Sequence, residues 1–141
     1  MSMDVDIGAM VTVYSLSRDG NLYLTPNFRV KEFKCNDGSD PVYINILIPI
    51  ICQAWRNWKG KPFTPTSAYR TPTYNIKIGG VRTSLHIYGN AVDIPADNPQ
   101  ELYDFLDKLL GDSCELGIYS WGCHVGICND KRRFKGSGSI G

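Results

Sequence analysis

The clearest helical pattern along the chain lies between residues 98 and 111, where apolar residues recur at intervals of three and four. They are Leu102, Phe105, Leu106, Leu109 and Leu110. Asn98 is a good N-cap, Pro99 suits the first helical position and Glu101 completes a capping box. With Gly111 as its end, this segment is predicted to be an amphipathic helix that packs one face on the core.

A second apolar face runs from Val42 to Trp58. Its members share helical spacing and are Ile44, Leu47, Ile48, Ile51, Ala54 and Trp55. The spacing predicts a core helix over this range, in which Pro49 either kinks the helix or marks its first turn.

Four short apolar segments are separated by clusters of Gly, Pro or Ser, a pattern that is typical of β-strands and the turns between them. They are Phe63–Tyr69, Asn90–Ile94, Glu115–Tyr119 and Cys123–Cys128. Strands of this length beside two helices predict an α+β fold.

The ends of the chain differ from its centre. Residues 1–26 are apolar positions broken by Asp, Gly and Pro, which predicts extended segments or loops. Residues 136–141 are small and flexible in composition and are predicted to form a tail. A chain of 141 residues suits one domain, which we place at residues 27–135.

Charge and hydropathy exclude two classes of partner. With 15 basic and 14 acidic side chains, the chain has no net field to hold a nucleic-acid backbone. No window is long and apolar enough to span a bilayer. The first residues carry two aspartates where a signal peptide carries positive charge, so we expect synthesis in the cytoplasm without a signal peptide.

The cysteines are five in number and lack paired C-x-x-C spacing. This argues against a disulfide framework and for synthesis in a reducing compartment. We expect most of them to be small buried hydrophobic residues. They are Cys35, Cys52, Cys114, Cys123 and Cys128.

Candidate chemistry centres on the two histidines, His86 and His124. Asp93 follows His86 by seven residues, and a turn at residues 88–90 would let the two side chains converge. Two imidazoles and one carboxylate leave a fourth tetrahedral position free, which is typical of a catalytic zinc site. On spacing alone, the alternative of partly buried histidines without a metal stays open.

The segment from Ser84 to Asp93 matches the pattern S-x-H-x-x-G-x-A-x-D at all five specified positions. It resembles the first zinc motif of the peptidase M15 family, which includes D-alanyl-D-alanine carboxypeptidases and phage L-alanyl-D-glutamate endopeptidases. Residues 27–33 and 67–75 resemble that family's N-F-x-x-x-E-F and S-G-Y-R-T-P-x-x-N segments. Residues 117–125 resemble its closing G-x-Y…H-V hairpin.

The resemblance implies that His86, Asp93 and His124 bind one zinc ion, in a small antiparallel sheet with flanking helices of the hedgehog/DD-peptidase kind. It also implies that Arg70 binds substrate or steadies the developing oxyanion, a role that suits a permanently charged fork. The alternative for Arg70 is that it ties down a loop. Gly89 is better explained as a turn residue than as a functional one.

Two positions depart from the family's pattern. Where many relatives have the glutamate of E-x-x-H, this chain has Trp121, and where others have the aspartate of H-x-D, it has Gly126. Glu115 is the first candidate for the missing general base, although a solvent-facing strand residue is an equal alternative. Asp130, in a polar turn, is the second.

Two cysteines near His124 are possible extra metal ligands. Cys123 is adjacent to His124 and should point to the opposite face of a strand, so its burial is favoured. Cys128 follows four residues after the histidine.

The function implied by the resemblance is zinc-dependent hydrolysis of a bacterial wall peptide that contains a D-amino acid. We expect a phage endolysin or a virion-associated wall hydrolase, with peptidoglycan peptide as substrate and phage virion proteins as possible partners. A first alternative is an inactive structural or binding module of a phage particle, favoured by the absent auxiliary residues. A second is a regulatory zinc domain of the hedgehog type.

Overall fold

A computed structural model describes residues 7–136 of the chain. Residues 1–6 of the predicted N-terminal segment lie outside the described residues. So does the predicted tail, apart from Gly136.

The N-terminal part contains short elements rather than a long helix. Strand β1 (Val11–Ser15) is followed by the single-turn helix α1 (Leu16–Asp19) and by the short strands β2 (Tyr23–Thr25) and β3 (Phe28–Arg29). Strand β4 (Pro41–Asn45) pairs antiparallel with β1, and β2 pairs with β3. Residues 7–26 thus combine short strands with single helical turns at Ile7–Met10 and Leu16–Asp19.

The single helix predicted over Val42–Trp58 is wrong at its beginning. Residues 42–45 belong to β4, and helix α2 spans Leu47–Lys59 with Pro49 in its first turn. The β4 residues pair with β1 and so adopt the two-residue alternation of a strand, although their spacing also fits a helical face. Asn45 separates the two elements, because its Oδ1 accepts a hydrogen bond from the backbone N–H of Leu47 at 2.9 Å.

The helix predicted at residues 98–111 is confirmed. After the short helix α3 (Pro72–Lys77) and strand β5 (Ala91–Pro95), helix α4 spans Pro99–Leu110. The Asn98 side chain caps it by accepting a hydrogen bond from the backbone N–H of Glu101 at 3.2 Å.

A four-stranded sheet carries the C-terminal half. It contains β6 (Cys114–Tyr119), β7 (Gly122–Ile127) and β8 (Arg132–Lys135) in the order β5-β7-β6-β8. The first three strands pair antiparallel, and they confirm the strands predicted near residues 90–94, 115–119 and 123–128. Strand β8 pairs parallel to β6 and was not predicted, because its charged sequence lacks an apolar alternation. The α+β class is confirmed.

The strand predicted at Phe63–Tyr69 is not formed. Only Ser67 makes an isolated bridge, with Asp93 on β5. Pro65 has no N–H to donate, which limits ladder pairing in this segment. This bridge attaches the segment before Arg70 to the central residue of β5, which is an edge strand of the four-stranded sheet.

The two faces of the sheet differ in chemistry because side chains alternate along each strand. One face is apolar and packs against α4, where Leu102 and Leu106 are fully buried. Its members are Val92, Ile94, Leu116, Cys123 and Val125. The opposite face carries polar residues and glycines, so it is available for a site.

Most of the cysteines are buried, as the sequence predicts. All five cysteines are free, and all but Cys128 are buried. Within residues 7–136, no helix has the length and apolar character needed to cross a membrane.

Gly89 ends the turn that carries His86, and its replacement by Ala should destabilise the protein more than replacement of a comparable glycine. Its φ is +76°, and a Cβ there would lie 2.4 Å from the carbonyl oxygen of Tyr43. Gly60 has a similar φ of +72° but nothing within 4 Å. Left-handed backbone alone costs a non-glycine residue about 1–2 kcal/mol, which is the loss expected for Gly60→Ala.

Urea denaturation of the two variants separates backbone strain from the steric clash. The free energy of unfolding should fall for Gly89→Ala by at least about 1 kcal/mol more than for Gly60→Ala, since backbone must move to relieve the clash. Equal losses in the two variants would show that the Tyr43 contact is relieved without cost.

Candidate metal centre

The polar face of the sheet brings together one residue from each strand. Asp93 on β5 lies directly opposite His124 on β7, and His124 lies opposite Gly117 on β6. Gly117 in turn pairs with Phe134 on β8, whose ring occupies the space that a Cβ at residue 117 would fill. Asp93 and His124 are thus cross-strand neighbours, as their places in adjacent strands require.

His86 reaches the same point from a loop. It lies in a 3-10 turn, Leu85–Tyr88, whose N-cap Ser84 accepts a hydrogen bond from the backbone N–H of His86 at 3.2 Å. The backbone N–H of Arg70 donates to the carbonyl of His86 at 3.1 Å and fixes this turn beside the sheet. The His86 side chain is 2% exposed, so it is a buried part of the site.

Three ligand atoms form a small triangle. His86 Nε2 lies 3.2 Å from His124 Nδ1, and Asp93 Oδ1 lies 3.2 Å from the first nitrogen and 3.0 Å from the second. A tetrahedral zinc site with ligand distances of about 2.0–2.1 Å separates its ligand atoms by roughly 3.3 Å. The donor set and its spacing therefore fit a zinc ion.

Each imidazole is oriented by a hydrogen bond on its other nitrogen. His86 Nδ1 donates to the carbonyl oxygen of Ala68 at 2.6 Å, which leaves the Nε2 lone pair facing the triangle. His124 Nε2 donates to Glu115 Oε1 at 2.7 Å, which leaves Nδ1 facing the triangle. Outer partners of this kind set the tautomer and ring orientation of metal-binding histidines.

Burial and charge shift the pKa values of the three ligands in different directions. Burial lowers the pKa of His86, so its imidazole stays neutral and able to bind a cation. Burial acts to raise the pKa of Asp93, but the two histidines outweigh it and hold the pKa well below its usual range. Burial also opposes protonation of His124, yet the carboxylates of Asp93 and Glu115 raise its pKa to about 9. A metal cation would replace that proton.

Arg70 is buried beside the triangle, and each of its three guanidinium nitrogens has one hydrogen-bond partner. Its Nε donates to Ser67 Oγ at 3.1 Å, one terminal nitrogen to Asn75 Oδ1 at 3.2 Å and the other to Asp93 Oδ2 at 3.5 Å. Helix α3 places Asn75, and the bridge with Asp93 places Ser67. These contacts explain why serine, arginine and asparagine occur together in the segment 67–75.

An open cleft of about 380 Å³ exposes the site to solvent. The three ligands line it together with Arg70, Glu115 and Tyr119, and residues 78–84 form one of its sides. Its volume falls within the range of about 300–1,000 Å³ that is typical of ligand-binding pockets.

The two cysteines considered as extra metal ligands lie outside the triangle. Cys123 points to the apolar face, where its Sγ donates to the carbonyl of Pro99 at 3.4 Å. Cys128 Sγ contacts the carbonyl of Asp130 at 2.9 Å, and neither cysteine belongs to the cluster of His86, Asp93 and His124 found within residues 7–136.

The two departures from the family pattern lie on the cleft face. Trp121 stacks on Tyr119 with ring centroids 4.9 Å apart. Gly126 lies beneath the Glu115 side chain. Asp130 is 79% exposed and does not line the cleft. Glu115 does line it, and its role as general base stays a prediction.

Several groups of the site were not identified from the sequence. The Ala68 carbonyl could not be found, because a backbone acceptor leaves no side-chain signal. Asn75 and Ser67 carried a signal, since both lie in the segment that contains Arg70. The contact of Gly117 with Phe134 depends on the pairing of β6 with β8, and β8 was not predicted from the sequence.

Comparisons with known proteins agree with this geometry. The family model described as Peptidase M15 matches residues 23–127, about three quarters of the chain. That range includes Arg70, Glu115 and the cluster of His86, Asp93 and His124. No curated protein and no solved structure gives a match.

Proposed function

Because this chain belongs to the peptidase M15 family, we propose that it is a zinc-dependent peptidase that hydrolyses a bacterial wall peptide containing a D-amino acid. The observation that carries the proposal is the triangle of two imidazole nitrogens and one carboxylate oxygen, 3.0–3.2 Å apart, at the base of an open cleft. Peptidases of this family depend on zinc.

In this proposal His86, Asp93 and His124 hold one zinc ion. When bound, zinc supplies a Lewis acid that polarises a carbonyl and makes water an effective nucleophile near neutral pH. The protein contributes an oriented ligand set, because Ala68 and Glu115 hold the two rings and Arg70 contacts the second oxygen of Asp93.

Arg70 is proposed to bind the substrate and steady the negative charge that develops on the carbonyl oxygen. The charge is permanent, although burial lowers the pKa of the guanidinium. Its position beside Asp93 in the cleft supports this role, and its hydrogen bonds to Ser67 and Asn75 hold the fork in one orientation. A preorganised donor of this kind costs no reorganisation during the reaction.

The substrate class rests on the family. The motifs at residues 67–75 and 84–93 resemble those of carboxypeptidases and endopeptidases that act on wall peptides with D-amino acids. Within that group, we favour a phage wall hydrolase, either an endolysin or a virion-associated enzyme. Phage virion proteins are its proposed partners in the second case.

Digestion of purified peptidoglycan tests the proposal directly. The zinc-loaded protein should release peptide fragments with new amino or carboxyl termini, identified by mass spectrometry, and a chelator should stop the release. Walls from hosts with different stem and bridge peptides would identify the bond. The fragments also separate endopeptidase from carboxypeptidase action.

An inactive phage module is the second candidate, supported by Trp121 and Gly126 at the positions of the usual auxiliary acids. It predicts a protein that binds zinc and sediments with peptidoglycan but releases no fragment from any wall. That result would contradict the proposed peptidase while leaving the metal centre intact.

A further inference from the structure

Glu115 and Gly126 are cross-strand partners on the cleft face of the sheet. Strand β6 places Glu115 directly opposite Gly126 of β7, two residue pairs along the strands from Gly117 and His124. Side chains two residues apart on a strand point to the same face. Glu115 therefore lies diagonally beside His124, within reach of its ring.

The absence of a side chain at residue 126 makes this approach possible. A Cβ built on Gly126 would lie 3.0 Å from Glu115 Cγ, 3.2 Å from Glu115 Oε1 and 2.6 Å from Leu85 Cδ1. Any larger residue must therefore displace the glutamate or the leucine. Because Gly126 has no side chain, the Glu115 side chain can extend over it and reach His124.

Both oxygens of the Glu115 carboxylate have partners. Oε1 accepts the hydrogen bond from His124 Nε2 at 2.7 Å, and Oε2 lies 3.4 Å from the guanidinium of Arg132 on β8. The carboxylate is thus held from two strands, with its side chain only 14% exposed. It contacts the ring nitrogen that does not face the ligand triangle.

A general base has a different requirement. It must lie within hydrogen-bond reach of the attacking water, on the side of the ring where the metal ligands converge. A carboxylate on the outer nitrogen of a metal-binding histidine instead fixes the tautomer and raises the basicity of the ligand.

We propose that Glu115 is a positioning residue that holds His124 Nδ1 toward the metal, and that Gly126 is required because it leaves room for this glutamate. The carboxylate that contacts the outer nitrogen of His124 is thus supplied by β6, the strand next to the one that carries the histidine. This inference rests on the proposed zinc centre. In this inference Glu115 is not the general base, and it acts instead by increasing the affinity of the site for the metal.

Metal affinity of three variants tests the proposal without depending on catalysis. Zinc dissociation constants should be measured by competition with a chromophoric chelator, and the visible spectrum of the cobalt-substituted protein should report ligand geometry. Glu115→Ala should weaken zinc binding by about ten- to a hundredfold and alter the cobalt spectrum. Glu115→Gln should recover part of this loss, because its amide oxygen can accept the same hydrogen bond.

Gly126→Ala provides a second test, because its Cβ would crowd the Glu115 side chain at 3.0 Å from Cγ and clash with Leu85 Cδ1 at 2.6 Å, while leaving the carboxylate itself unaltered. It should weaken zinc binding in the same direction as Glu115→Ala. Glu101→Gln is the matched control, since Glu101 pairs with Lys59 at 2.5 Å and does not line the cleft. The control should bind zinc as the unaltered protein does.

The outcomes distinguish this inference from the proposed function. If Glu115→Ala binds zinc as tightly as the unaltered protein, the positioning role is wrong. If Glu115→Gln keeps full zinc affinity but loses a hundredfold or more in turnover, Glu115 is a general base instead. If the unaltered protein binds no zinc, the metal centre itself fails, and with it the proposed function and this inference. Full affinity in the unaltered protein without any cleavage would contradict only the peptidase.

Discussion

His86→Ala and Asp93→Ala should each abolish zinc binding and peptide hydrolysis while leaving the helices folded. Each change removes one corner of a triangle whose edges are 3.0–3.2 Å, and two remaining ligands do not form a catalytic zinc site. Metal catalysis contributes several kcal/mol to such a reaction, which corresponds to a loss in rate of roughly a thousandfold or more.

The fold should survive these substitutions because the ligands and the hydrophobic core lie on opposite faces of the sheet. Core residues Leu116 of β6 and Val125 of β7, the two strands that pack against α4, are not altered in either variant. Far-ultraviolet circular dichroism checks this, and elemental analysis checks the metal. Asp97→Ala is the matched control, because Asp97 is an exposed aspartate paired with Lys61. Loss of all helical signal in both ligand variants would make the zinc structural, and full turnover in either would remove that ligand from the site.

Arg70→Ala should retain zinc and reduce turnover by about a hundred- to a thousandfold, the loss typical of removing one donor to a developing oxyanion. The three metal ligands stay in place in this variant, and the Asp93 carboxylate remains fixed from its backbone by the bridge with Ser67. The lost group is the oriented positive charge in the cleft.

Substitution of Arg70 by lysine tests whether the planar guanidinium group is needed in addition to its positive charge. Arg70→Lys keeps the charge but cannot reproduce the separate hydrogen bonds to Ser67 and Asn75, so its turnover should also fall. Steady-state kinetics of peptide cleavage measure both variants, with Arg18→Ala as a control for loss of an exposed arginine. Unchanged turnover in Arg70→Ala would reduce Arg70 to a residue that ties down the loop, the alternative open from the sequence.

The cluster of His86, Asp93 and His124 could be predicted because histidine is rare in this chain. The chain has only two histidines, His86 and His124, and Asp93 follows His86 at a spacing that suits a turn and a strand. Few sets of metal-binding residues can be built from these side chains, and the match to a known motif selects one of them. The α4 helix could be predicted for a similar reason. Its cap, its apolar stripe and its terminal glycine all indicate the same element.

Tertiary pairing determined the elements that the sequence did not reveal. Residues 42–45 fit a helical face as well as a strand, and pairing with β1, thirty residues earlier, selected the strand. The charged β8 forms only because β6 offers a free edge. The contact of Glu115 with His124 depends on the register of β6 and β7, which periodicity alone does not supply.

The zinc content of the protein purified without chelators tests the central claim most directly. Elemental analysis should find about one zinc per chain, and X-ray absorption should show two imidazole nitrogens among light-atom ligands, without sulfur. Zinc-free protein that fails to take up the metal on reconstitution would contradict the account. So would a zinc–sulfur contribution, because the cysteines lie outside the cluster of His86, Asp93 and His124.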